Sequence, residues 1–138
     1  SGTTPEGVAF EHGGASHEEL LDLHGRGRGY SLWVVTAALR SGAFLAEVQV
    51  TVRDDQKRVV FDQALDGPWL FVGLPPGRYE VEARLNGKSQ QRSTTVHSGD
   101  HHQVFFYFDT GDDVGRENRS PFPSNPYGYL PGKGSGKP

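Results

Sequence analysis

The chain has 138 residues, a formal net charge of −3, 34% hydrophobic residues, 19 glycines, 9 prolines and neither cysteine nor methionine. The length suits one domain, the low apolar share predicts an ordered core with loose ends, and the charge supplies no basic field to hold nucleic acid or an anionic membrane. Without cysteine there are no disulfides, thiolate zinc sites or cysteine nucleophiles, and no apolar run approaches the roughly 18 residues of a membrane-spanning helix.

Residues 1–15 are polar and Gly-rich and predict a flexible start. "SHEELLDLH", 16–24, predicts a short helix. Ser16 is placed to cap it, Glu19 follows at capping-box spacing, and Leu20, Leu21 and Leu23 form an apolar side. "GRGRG" at 25–29 ends that helix and reads as a flexible connector; two arginines between glycines are too little to specify phosphate or RNA. From Tyr30 the period changes. "YSLWVVTAAL" is β-branched and aromatic and predicts a buried strand. "EVQVTVRD" alternates, with Val48, Val50 and Val52 on one face and Glu47, Gln49, Thr51 and Arg53 on the other. "RVVFD" and "WLFVGL" are short strands. "RYEVEARL" sets Tyr79, Val81, Ala83 and Leu85 on one face, between a Pro75-Pro76-Gly77 turn and an Asn86-Gly87 hairpin. "KSQQRSTTV" returns as a polar edge partner, and "QVFFYFD" closes the ordered region. Residues 110–138, rich in Gly, Pro, Ser and Asn, predict a disordered tail.

Seven short strands between turn signals, with no βαβ alternation, predict an all-β, antiparallel β-sandwich. The blocks "AEVQVTVRDDQKRVVFD", "DGPWLFVGLPPGRYEVEARLNGKSQQRSTTV" and "HHQVFFYF" resemble the transthyretin-like (prealbumin-like, Ig-like), carboxypeptidase-regulatory-like β-sandwich over residues 30–109. "GYSLWVVTAALRSGAFLAEVQVTV" joined to "DGPWLFVGLPPGRY" is similar, more narrowly, to a group of small exported proteins of Gram-negative bacteria. The resemblance implies a seven-stranded sandwich at 30–109, a flexible segment with a short helix at 1–29, a tail at 110–138, and a periplasmic location reached by an export signal since removed. It implies no assigned activity. The hydroxyisourate hydrolases of that superfamily end in Tyr-Arg-Gly-Ser, which this chain lacks, and the His-x-x-Glu zinc motif of carboxypeptidases is absent as well. The chain is therefore expected to be no enzyme and to need no cofactor.

Three groups of residues carry what chemistry the sequence offers. His97, His101 and His102 cluster at one turn with Asp100, and imidazole suits copper, nickel or zinc. His101 and His102 are adjacent, however, and in a strand would point to opposite faces. His17 and His24 are seven residues apart, roughly 10 Å along a helix, too far to share an ion. His97, Ser98 and Asp100 have the residue types of a hydrolytic triad, but local adjacency does not make side chains converge. "NGKS" at 86–89 ends like a phosphate loop, but position 82, where that motif needs glycine, is Glu. The aromatics form the third group. "WLFV" and "QVFFYF" are apolar on both faces, so Trp69, Phe71, Phe105 and Tyr107 are either covered by the N-terminal helix or form a partner surface. Phe122, Tyr127 and Tyr129, among prolines, would suit an extended ligand segment. The leading expectation is a non-enzymatic periplasmic binding or scaffold module acting on another protein or an envelope component through that apolar face. Metal binding by the turn histidines is the alternative, and carbohydrate binding by Trp69 and its neighbours a further one.

Overall fold

A computed structural model describes residues 2–13, 23–40, 43 and 45–110, with Leu23 and His24 described in backbone only. Among them are nine strands and one short helix: β1 (Gly2–Thr3), β2 (Ala9–Gly13), α1 (Leu23–Gly27), β3 (Leu32–Ala38), β4 (Gln49–Asp54), β5 (Val59–Ala64), β6 (Trp69–Gly73), β7 (Gly77–Leu85), β8 (Lys88–Val96) and β9 (His102–Phe108). They form two sheets, sheet I in the order β1-β2-β6-β3-β9 and sheet II in the order β5-β4-β7-β8. The protein is an all-β sandwich.

The seven-stranded expectation needs correction: the described residues form nine strands, two of them, β1 and β2, ahead of those read from the sequence. The segment expected to be flexible contains β1 and β2, which run antiparallel with Gly2 opposite Phe10. Val8 and Phe10 bury against the core, and the Thr4 hydroxyl accepts the Val8 N–H at 3.1 Å to close the turn between these strands. Two well-placed apolar side chains outweigh a polar, Gly-rich composition, because β2 gains a full antiparallel pairing with β6. The expected all-antiparallel order also needs correction: β9 pairs with β3 in parallel, from Leu32 opposite His102 to Ala38 opposite Phe108. The chain leaves sheet II at the 97–101 loop, crosses to sheet I, and lays its last strand beside its first long one. Most of the expected helix at 16–24 lies outside the described residues, as does the tail from 111 onward. The described helix runs from Leu23 to Gly27 and so overlaps the expected one only at residues 23 and 24.

Alternation positions the rest. Val48, Val50, Val52, Val81 and Ala83 project from sheet II onto Leu32, Val34, Leu70, Val72 and Phe106 of sheet I, and each is essentially inaccessible to solvent. Burying side chains of this size contributes about 1.5–3 kcal/mol each for the larger ones. The "LPPGRYEVEARLNG" stretch supplies local architecture. The Tyr79 hydroxyl donates to the Pro75 carbonyl at 2.7 Å, tying the proline turn to β7. At the other end Asn86 and Gly87 both adopt positive φ, 52° and 81°. That is the type I′ geometry whose twist matches the strands it joins, and it sets Leu85 opposite Lys88.

Candidate ligand-binding cleft and the apolar sheet face

The apolar outward side chains of β3, β6 and β9 in sheet I are, respectively, Trp33, Val35 and Ala37, Trp69 and Phe71, and Phe105 and Tyr107. Trp69, Phe71, Phe105 and Tyr107 are exposed by only 0, 2, 2 and 7%. All four sequence-predicted partner residues are thus part of the folded interior. They fall into two clusters, Trp33–Trp69–Phe71 and Val35–Ala37–Phe105–Tyr107.

Helix α1 packs on the first cluster, and the "GRGRG" stretch is the reason it fits. The Trp33 indole N–H donates to the Gly27 carbonyl at 3.1 Å. A Cβ on Gly27 would come within 2.5 Å of the Trp33 ring and 3.0 Å of Phe71, so only glycine allows the helix this close. The Arg26 guanidinium lies 5.6 Å from the Trp69 ring centroid, and its Nε donates to Glu11 Oε2 at 2.9 Å. A segment expected to be a flexible connector is instead a clamp: one glycine admits an indole, and one arginine joins a ring to a carboxylate on β2. Leu20 and Leu21, expected to form the cover, lie outside the described residues.

The histidines sit at the end of the sandwich, where β8 crosses to β9, and the fold turns His101 away from the other two. His101 turns outward and stacks on Trp33, with centroids 4.2 Å apart and rings inclined by 12°. His102 turns inward; its ring lies 5.3 Å from that of His97, and its Nε2 is buried without a hydrogen-bond partner among the described residues. Adjacent residues of a strand point to opposite faces, as the sequence implied. No group of three or more His, Asp or Glu side chains among the described residues is close enough to hold a metal ion. The triad types at 97–100 do not converge either. The Asp100 carboxylate accepts the backbone N–H of His101 at 2.9 Å, and no hydrogen bond links His97 to Ser98 or Asp100 among the described residues.

Between the 97–101 loop, the turn after α1 and the strand-to-strand segment at 74–76 lies a cleft of about 680 Å³. Tyr30, Trp33, Leu74 and Pro76 give it apolar walls, and Arg28, His97 and His101 supply polar groups at the rim. Its two sides are fastened by Ser31, whose hydroxyl accepts the Leu74 N–H at 2.8 Å and donates to the Leu74 carbonyl at 2.9 Å. Burial and the nearby Glu11 carboxylate hold the Tyr30 phenol above its ordinary pKa, so it stays a neutral donor through the physiological range. Sequence reasoning had found His97 and His101 but missed Arg28, Tyr30 and Trp33 as their neighbours. Trp33 reads as one more core residue of a buried strand, and only the parallel pairing of β9 with β3 brings His101 over it.

No protein-family model matches this chain, and no curated protein matches it.

Proposed function

We propose that the chain is a non-enzymatic binding or scaffold module of a periplasmic protein, built on a transthyretin-like, carboxypeptidase-regulatory-like sandwich, and that it recognises its ligand in the cleft beneath the 97–101 loop. The observation that carries this reading is the cleft's form. A concave space of about 680 Å³ with apolar walls and a few convergent polar groups matches the usual anatomy of a small-ligand site. The same burial that makes Trp69, Phe71, Phe105 and Tyr107 interior residues speaks against the sheet face as the recognition element, and gives a sugar no Trp69 surface to stack on. The test is a fragment screen followed by amide chemical-shift mapping. Ligands should shift Gly29, Gly99 and His101, and Ser98→Trp, which fills the mouth of the cleft, should abolish those shifts in a folded protein. Ligands that bind Ser98→Trp with unchanged affinity would remove the cleft from consideration.

A second reading, a copper or zinc site at His97 and His102, is favoured by their 5.3 Å ring separation and by the unpartnered Nε2 of His102. Two imidazoles are fewer donors than a structural zinc site employs, so this reading requires a third from water or another group. Zn²⁺ and Cu²⁺ titrations of the unsubstituted chain and of His102→Gln decide it: equal affinities sink the site.

A further inference from the structure

We infer that the cleft selects small organic anions, compounds with a flat apolar body ending in a carboxylate, with Arg28 as the residue that reads the charge. This deepens the cleft reading and rests on it. Among the described arginines, those at positions 26, 40, 53, 58 and 84 each face a carboxylate within 4.0 Å, whereas Arg28, Arg78 and Arg92 do not, and of these three only Arg28 lines the cleft. Arg28 lines the cleft and forms no ion pair among the described residues. A guanidinium on a cavity wall without a counterion among the described residues is matched to an anion from outside, and its planar fork binds a carboxylate through two parallel hydrogen bonds.

The one acidic side chain on the cleft wall does not take that role. Asp100 is directed to its own loop, where one carboxylate oxygen accepts the His101 N–H. His97 and His101 also line the cleft, and an imidazole N–H there would favour an acceptor-only group such as a carboxylate. The body of the ligand follows from the apolar part of the lining. Tyr30, Leu74 and Pro76 present apolar surface, while His101, stacked on Trp33, offers a flat lid. Flat surfaces of this kind receive a planar body better than a branched one. Arg28 is exposed, so it is open to substitution.

Three probes of equal size separate charge from shape: 2-naphthoate, 2-naphthylmethanol and 2-naphthylmethylammonium, each titrated into the whole chain and followed by amide chemical shifts. Naphthoate should bind saturably, shift Gly29, Gly99 and His101, and bind at least about tenfold tighter than the alcohol, the ratio expected for one charge-assisted hydrogen-bonded pair. Arg28→Gln should bring naphthoate down to the alcohol's affinity and leave the alcohol unchanged. Equal affinity for all three probes, a preference for the ammonium, or naphthoate binding unchanged in Arg28→Gln would overturn the anion assignment while leaving a binding cleft in place. Cleft amides that respond to none of the three probes would remove the cleft reading and this inference together.

Discussion

The two outer faces of the sandwich follow different rules. On sheet II the outward side chains are polar and interlinked. Asp62 accepts from Gln49 at 2.7 Å and from Thr51 at 2.8 Å, and Glu82 accepts from Arg53 at 3.3 Å and Ser89 at 2.9 Å. On β3 and β6 of sheet I, and on β9 beyond Gln103, the outward side chains are Trp, Phe, Tyr, Val and Ala, and they are buried. One sheet keeps the half-wet alternation of an antiparallel sandwich, and the other is apolar through both faces along β3, β6 and most of β9. A sheet that is apolar on both sides must be covered on both, and α1, seated through Gly27 and Arg26, is where this chain begins to do so. Period-2 alternation in a sequence therefore reports which sheet faces water; its loss reports a third layer.

Substitutions that treat the two faces alike should give unlike results. The largest effect is expected at Trp69, which is fully buried on the outward side of sheet I. Trp69→Ala should cost about 3–5 kcal/mol in urea unfolding, and a loss below about 1 kcal/mol would mean the ring rests on a wet face. Gly27→Ala comes next. In an open helix this change would stabilise by up to about 1 kcal/mol. Here the added methyl meets Trp33 at 2.5 Å, and overpacking should destabilise by about 1–3 kcal/mol. The sign of the measured change thus reports whether α1 lies against sheet I.

On the polar face the effects shrink. Glu82 has its carboxyl held below the usual carboxylate range, chiefly by the Ser89 hydroxyl and then by Arg53 and Arg84, against the opposing effect of its burial. Its folded form prefers the charge, so its contribution is complete above the ordinary carboxylate pKa and is lost as pH falls through the lowered folded value. Glu82→Gln should cost about 0.5–1 kcal/mol at neutral pH and flatten the acid limb of the stability profile; an acid limb identical to that of the unsubstituted chain would refute the assignment. The smallest change is expected for Lys57→Ala. That lysine is 78% exposed and stands 4.0 Å from Glu80, so its removal should alter thermal stability by less than about 0.5 kcal/mol. A larger loss would show that the polar face acts as one network rather than as separate pairs.

How much of this the sequence discloses depends on the range of the interaction. The β4 and β7 strands, their core faces and the Asn86-Gly87 hairpin are legible because each is encoded within about ten residues. The polar edge character of "KSQQRSTTV" was legible for the same reason, and β8 is an edge of sheet II. β2 was not, because Val8 and Phe10 gain their value only from β6, some sixty positions away. The role of "GRGRG" was hidden too. Glycine signals flexibility when read locally, whereas Gly27 is required by an indole that only the fold brings beside it. The cleft was half legible: His97 and His101 drew notice as titratable residues, but Arg28 and Tyr30 join them through a strand pairing that no local pattern encodes.

That pairing also orders the assembly of the molecule in time. The β4–β5 and β7–β8 pairs of sheet II join strands that follow one another in the chain. β3 must wait for β9, whose first partner, His102, lies 102 − 32 = 70 positions beyond Leu32. Closing so long a loop is entropically slow compared with closing a hairpin. As the chain emerges from the ribosome, sheet II can form while β3 still has one open edge, and the Val35–Phe105 cluster is the last part of the interior to be sealed.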